Sequence, residues 1–182
     1  MSAPAVITIE PLDVEEHGDR LHAWVTHPRS AFWMMQDATP AEVVADYRLV
    51  AEHPHHDAWL GRVDGEPAFL AETYDPVLAP EVGLAGLADL RPGDLGMHVL
   101  VAPPDPGAGP RPGFTRAVFA AVMAHCFHDP AVRRVVVEPD VRNERIATLN
   151  REAGFVVARI VDLPDKQAAL SFCTRADWEA AR

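Results

Sequence analysis

Val132-Arg-Arg-Val-Val-Val-Glu-Pro-Asp-Val-Arg-Asn-Glu-Arg-Ile-Ala-Thr-Leu-Asn-Arg-Glu-Ala-Gly-Phe155 is the stretch from which the fold reads most directly. Val132 to Glu138 is a β-branched run suited to a buried strand. Asn143 to Ala153 reads as a helix, and Gly154 is a good residue to end it. Phe155 to Asp162 returns to strand. The first strand closes on Glu138-Pro139-Asp140, which puts polar side chains at the sheet edge, where open α/β sheets bind ligands.

The flanking sequence supplies the remaining elements. Val6 to Ile9 is a short strand ended by Pro11. Asp13 can cap a helix running through Leu21 and Trp24, with Glu16 as its capping-box partner, and His27-Pro28 breaks it. Thr39-Pro40 opens a second helix, which carries Val43, Val44, Tyr47 and Val50 at helical spacing. Strands at 58–63 and 67–74 are joined by Asp64-Gly65, a hairpin turn signal. A strand at 94–102, a Pro/Gly segment at 103–113 and a helix to His128 follow. A strand at 168–174 and a short helix from Ala176 close the chain. The order is β-α-α-β-β-β-α-β-α-β-β, with strands and helices alternating only in the second half. That argues for an α/β (α+β) fold, a mixed sheet with helices on both faces, in a single domain over 1–182.

Length and composition agree with this. The chain has 182 residues, 48% hydrophobic and 24% charged, ordinary for a globular protein with a real core. Its 17 prolines fall largely in connections. A net charge of −11 repels polyphosphate, so nucleic acid is not an expected partner. The same charge either serves solubility or steers a cationic small substrate. Cys126 and Cys173 lie in apolar runs with no CxxC, as expected of buried free thiols in a reducing compartment. No signal peptide and no 18-residue apolar stretch is found, so the expected location is the cytoplasm, off the membrane.

Two places carry chemistry. Pro106-Gly-Ala-Gly-Pro-Arg-Pro-Gly-Phe-Thr115 leads into a helix, whose first N–H groups and positive dipole end suit a pyrophosphate. Its glycines allow close backbone approach, and Arg111 and Thr115 can add side-chain contacts. A plain crossover loop has the same composition, and with no GK[ST] the segment is not a P-loop. The second place is Glu138-Pro-Asp-Val-Arg-Asn143. His53, His55 and His56 are interrupted by Pro54 and lack a nearby cysteine, so no metal site is expected there.

Asn143 to Phe155 resembles the signature of GNAT acyltransferases, in which an Asn starts a helix and Gly-Phe ends it. His27-Pro-Arg-Ser-Ala-Phe-Trp-Met-Met35, Glu72-Thr-Tyr-Asp75, Gly93-Asp-Leu-Gly-Met-His98, Glu138-Pro-Asp-Val-Arg-Asn143 and Leu163-Pro-Asp-Lys-Gln-Ala-Ala-Leu170 occur in this order. Together they resemble the siderophore-biosynthesis branch, which includes aerobactin-type and mycobactin-type hydroxylysine acyltransferases. Arg111-Pro-Gly-Phe-Thr115 and the Pro/Ala-rich composition are most similar to the actinobacterial desferrioxamine enzymes, which acylate N-hydroxycadaverine. The resemblance spans roughly residues 8–175.

The resemblance implies a GNAT fold, a mostly antiparallel, centrally splayed sheet, and transfer of an acetyl or succinyl group from acyl-CoA to an N-hydroxyamine. It implies His98 and Asp140 as the catalytic pair, His98 taking the nucleophile's proton and Asp140 orienting the substrate or the imidazole. Taken alone, His98 in an apolar strand also reads as a core histidine. Cofactor contacts are implied at Leu100, Val101, Arg111, Gly113, Phe114, Thr115, Asn143 and Asn150. Many GNATs carry a Tyr at the Asn150 position, where it protonates the leaving thiolate, and an amide cannot do that.

On the acceptor side, Trp24, Phe32, Trp33 and Met34 can wall a channel or simply pack. Glu72, Tyr74 and Asp75 end a strand, and one of the carboxylates can hold the distal ammonium of a diamine. Three readings stay open beside N-hydroxycadaverine: an N6-hydroxylysine acceptor, an aminoglycoside-type amine, and a degenerate domain that binds CoA without turnover.

Overall fold

A computed structural model describes residues 5–79, 83–107, 109 and 111–182. Its elements run β1 (Ile7–Pro11), α1 (Val14–Val25), a 3₁₀ helix (Pro28–Trp33), α2 (Pro40–Glu52), β2 (His56–Val63), β3 (Glu66–Tyr74), β4 (Asp94–Val101), α3 (Phe114–Cys126), β5 (Arg134–Val137), α4 (Glu144–Glu152), β6 (Val156–Asp162), β7 (Gln167–Thr174) and α5 (Arg175–Ala180). The seven strands form one mixed sheet in the order β1-β2-β3-β4-β5-β7-β6, flanked by helices. β1–β2, β5–β7 and β6–β7 pair antiparallel and β4–β5 pairs parallel.

Local chemistry sets the boundaries. Asp13 Oδ1 accepts from the N–H groups of Glu15 and Glu16, capping α1. Glu16 turns instead toward His17, 3.7 Å away. A full reciprocal capping box is at α2, where Thr39 Oγ1 accepts from Glu42 N–H and Thr39 N–H donates to Glu42 Oε2. Asp64 (φ 52°) and Gly65 (φ 87°) both sit in the left-handed region, as a type I′ hairpin between β2 and β3 requires. The aromatic stretch after His27-Pro28 forms the 3₁₀ helix, which ends at Met34 in left-handed geometry (φ 61°).

The chain divides into two compact units, Met1–Glu72 with Val99–Ala121 and Thr73–His98 with Val122–Arg182. The dividing positions fall within β3, β4 and α3. In the first unit Leu21, Val25, Val43, Leu60 and Leu70 pack around Tyr47. In the second, Leu84, Val136, Val161, Ala168 and Leu170 pack around Tyr74. Cys126 and Cys173 are both free and buried. Among the described residues, no helix is long and apolar enough to cross a membrane.

Candidate active site

The second unit gathers four polar side chains from four elements. Glu138 follows β5 and is only 3% exposed. His98 Nε2, on β4, lies 2.5 Å from Glu138 Oε1. Tyr74, at the end of β3, donates its hydroxyl to Glu138 Oε2 at 2.9 Å, and its oxygen is 3.3 Å from His98 Nε2. Lys166, in the turn before β7, brings Nζ to 3.5 Å from Glu138 Oε1. Burial alone pushes the Glu138 carboxyl upward. The charge and hydrogen bond of His98, the charge of Lys166 and the Tyr74 hydrogen bond overcome this and hold it at about 2. Glu138 is therefore a buried, fully ionised anion beside an imidazole.

The backbone explains the convergence. The parallel ladder of β4 with β5 runs only from Asp94↔Arg134 to Gly96↔Val136. His98 and Glu138 each lie two residues past its last rung, on matching sides of their strands. Gly96 is part of the construction: a Cβ there would come within 2.0 Å of Tyr74 Cε2. Only a bare backbone lets the tyrosine ring lie across β4.

Asp140 does not meet the expectation of a carboxylate orienting the imidazole. Its oxygens accept from Arg142 side-chain nitrogens at 2.6 and 2.9 Å and from Arg142 N–H at 2.8 Å. Those Arg142 bonds hold its carboxyl down at about 2, against the opposing pull of burial. Its backbone forms a bridge to Ala168. Glu138 takes the imidazole because it lies as far past the last β4–β5 rung as His98 does, whereas Asp140 lies two residues further on, where the chain continues its antiparallel pairing with β7 through Ala169 N–H to Pro139 O and the Asp140–Ala168 bridge. Glu138 and Lys166 are the members of this cluster that sequence reasoning missed, although one lies in Glu138-Pro-Asp-Val-Arg-Asn143 and the other in Leu163-Pro-Asp-Lys-Gln-Ala-Ala-Leu170.

The residues expected to hold CoA fall at two places. Arg111, Gly113, Phe114 and Thr115 stand at the start of α3, where the Arg111 guanidinium stacks 3.8 Å over the Phe114 ring. A Cβ at Gly107, Gly109 or Gly113 would meet nothing within 4 Å, so these glycines face open space. Ala108 and Pro110 of the same loop lie outside the described residues. Leu100 packs into the first unit's core, and Val101 ends β4 half-buried. In the second unit Asn143 caps α4, its Oδ1 accepting from Ile146 N–H. Asn150 is buried, and its Oδ1 has no hydrogen-bond partner among the described residues.

The acceptor-side residues divide as well. Trp24 is core. Phe32 and Met34 are exposed, and Met34 lines a cavity of about 550 Å³ with Met35, Gln36, Asp37, Glu42 and Asp46. Trp33 Nε1 donates to Tyr47 Oη, which donates to Glu72 Oε1 at 2.8 Å. His56 Nε2 lies 3.5 Å from Glu72 Oε2. Burial, with the Glu72 charge second, holds the Tyr47 phenol well above its ordinary range, so it stays a donor. Glu72 is thus committed inside the first unit, and Asp75 accepts from the N–H groups of Val77 and Leu78 in a turn. Neither carboxylate is the open strand-end anion that sequence reasoning expected. The His53 ring meets those of His55 and His56 edge-on, with centroids 6.1 and 6.4 Å away.

Comparison with known proteins adds a family. The model of the family described as acetyltransferase (GNAT) domain matches residues 13–163. SAT14 of Stachybotrys chartarum, named for O-acetyl transfer, is 28% identical over 176 residues, 94% of this chain and 36% of its own length. N(5)-hydroxyornithine:cis-anhydromevalonyl coenzyme A-N(5)-transacylase SIDF of Beauveria bassiana is 29% identical over 172 residues, again 94% and 36%. The chain spans about a third of the length of these curated relatives. The structure of AAC(6')-Ib in complex with ribostamycin and coenzyme A has a TM-score of 0.80 at 22% identity, covering 97% of each chain. That last likeness is one of fold.

Proposed function

The chain belongs to the GNAT acetyltransferase family, and on that premise we propose that it is an acyl-CoA N-acyltransferase that turns an N-hydroxyamine into a hydroxamate. The observation that carries this reading is the His98–Glu138 pair, an imidazole held against a buried carboxylate just past the last β4–β5 rung. Two relatives support its parts. The name of SIDF describes transfer from a CoA thioester to hydroxyornithine nitrogen, and AAC(6')-Ib was crystallised with coenzyme A.

With Nε2–H directed at Glu138, Nδ1 is the basic nitrogen of the neutral His98 ring. A hydroxylamine nitrogen is weakly basic and already neutral at pH 7, so it needs no deprotonation before attack. Its lone pair forms the C–N bond to the thioester carbonyl, and His98 accepts the N–H proton as the tetrahedral intermediate forms. A backbone N–H just after His98 stabilises the oxyanion. Collapse breaks the C–S bond, and the proton leaves with the CoA thiolate. Arg111 and the start of α3, around Gly113, Phe114 and Thr115, take the CoA pyrophosphate. Asn150 Oδ1, buried and with no hydrogen-bond partner among the described residues, accepts a donor of the cofactor. Asp140 orients the acceptor. N-hydroxycadaverine, in a desferrioxamine-type pathway, is the preferred acceptor of this reading.

An activity matrix tests it: acetyl-CoA and succinyl-CoA against N-hydroxycadaverine, N6-hydroxylysine, cadaverine and an aminoglycoside. Thiol release and ferric-hydroxamate colour are followed together. The reading expects both signals with a hydroxylamine and neither with cadaverine. Thiol release without colour from cadaverine or the aminoglycoside marks transfer to an ordinary amine, and from a hydroxylamine it marks transfer to the distal amine or to oxygen, the latter being the chemistry named for SAT14. No release with any acceptor leaves a domain that binds CoA without turnover and overturns the enzyme reading.

A further inference from the structure

We propose that Lys166 is a positioning residue for His98: its ammonium compensates Glu138, so that His98 can give up its proton near neutral pH. The proposal rests on the reading of His98 as the base. Lys166 is the only lysine in a sequence with 16 Lys and Arg together. It is also largely sequestered, with 14% side-chain exposure, unusual for a residue whose head is so strongly hydrated. The Leu163-Pro-Asp-Lys166 turn that carries it is closed by reciprocal backbone bonds between Leu163 and Lys166. The next residues are tied to the Glu138 loop, since Val141 N–H donates to Gln167 O and Ala169 N–H to Pro139 O. Backbone pairing thus fixes the ammonium beside the carboxylate.

The charge count gives the reason. Tyr74 from β3 and Glu138 from the end of β5 meet His98, and Lys166 from the β6–β7 turn meets Glu138. Asp140 is the next anion out, and Arg142 engages it with two side-chain nitrogens. Asp94 of β4 itself is likewise held by Arg134. If Glu138 had only His98 as a cation, the cluster would be neutral with the imidazole protonated. Proton release would then strand a carboxylate that is 3% exposed, a costly state in a site of low polarity. The imidazole would be locked as a cation and useless as a base. With Lys166 present, the Lys166–Glu138 pair is neutral by itself, and proton release from His98 leaves no uncompensated charge.

The test is the titration of His98 in full-length protein, read by NMR of labelled imidazoles and assigned with H98Q. In K166M the His98 midpoint should rise by about one pH unit or more, the size of a lost neighbouring charge. The acidic limb of kcat/KM should rise with it, so that activity lost at pH 7 returns toward pH 9. K166R should restore both, and K166Q gives the same reading if K166M does not fold. An unmoved midpoint in a folded variant, or a loss of activity equal at every pH, overturns the proposal. The two readings separate cleanly. A shifted midpoint in a protein that transfers no acyl group sinks the acyltransferase reading alone. Acyl transfer with an unshifted midpoint sinks the Lys166 role alone.

Discussion

Glu138 ties stability and catalysis to one carboxylate, and the two can be measured apart. Its folded value of about 2 lies below the ordinary 4.5. A depressed carboxyl stabilises the fold fully above pH 4.5, and that contribution is lost as pH falls toward 2. E138Q carries no such group. Its stability, followed by denaturant melts from pH 7 to pH 2.5, should therefore fall less steeply with acid than that of the wild type. A parallel slope would mean that Glu138 is not the ion its surroundings describe. Turnover sorts the neighbours. H98A should lower kcat by about 10²–10⁴-fold, the range for a lost general base. D140N should lower turnover without moving the pH limb that His98 sets, because Arg142 and not His98 holds that carboxylate. A D140N profile displaced along the pH axis would return Asp140 to the imidazole.

β3 and β4 meet at a place where one atom decides the geometry. Gly96 leaves room for the Tyr74 ring, and the ring delivers its hydroxyl to Glu138. G96V puts a branched side chain where the ring lies, and an aromatic ring in a packed strand cannot fold away. We expect a loss of about 1–3 kcal/mol in stability, the usual size of overpacking, with kcat reduced and the KM for acyl-CoA little changed. Wild-type stability and kcat in G96V would show that Tyr74 relaxes without consequence. The same elements explain what was legible beforehand. Asp13, Thr39-Pro40, Asp64-Gly65 and Gly154 are local signals with local causes, and each bounds an element as expected. The partner of His98 has no local cause. Glu138 and Asp140 share the same strand parity, so alternation cannot choose between them. The β4–β5 register chooses, since it places Glu138 and His98 equally far past their last rung, and that register is a pairing between segments distant in sequence. Lys166 was hidden for the same reason, its place depending on a turn rather than on spacing.

Charge acts over the whole chain. The sequence carries −11, and among the described residues Asp37, Glu42 and Asp46 line one cavity. Glu72 and Asp75 are already engaged, so discrimination between acceptors cannot be assigned to either as a dedicated anchor. What remains is the long-range field, which attracts a cation and is indifferent to a zwitterion. N-hydroxycadaverine has one ammonium and a neutral hydroxylamine, for a net charge of about +1 at pH 7. N6-hydroxylysine adds an α-carboxylate to its α-ammonium and is close to neutral overall. Salt should therefore separate them. Raising ionic strength from about 0.01 M to about 0.5 M contracts the screening length from roughly 30 Å to below 8 Å. With acyl-CoA saturating, kcat/KM for N-hydroxycadaverine should fall several-fold over that range, while the value for N6-hydroxylysine should stay within about twofold. Initial rates at fixed pH measure both. Equal salt dependence would remove steering from acceptor choice and leave the −11 to solubility alone, and a steeper fall for the zwitterion would point to a local cation that binds the α-carboxylate.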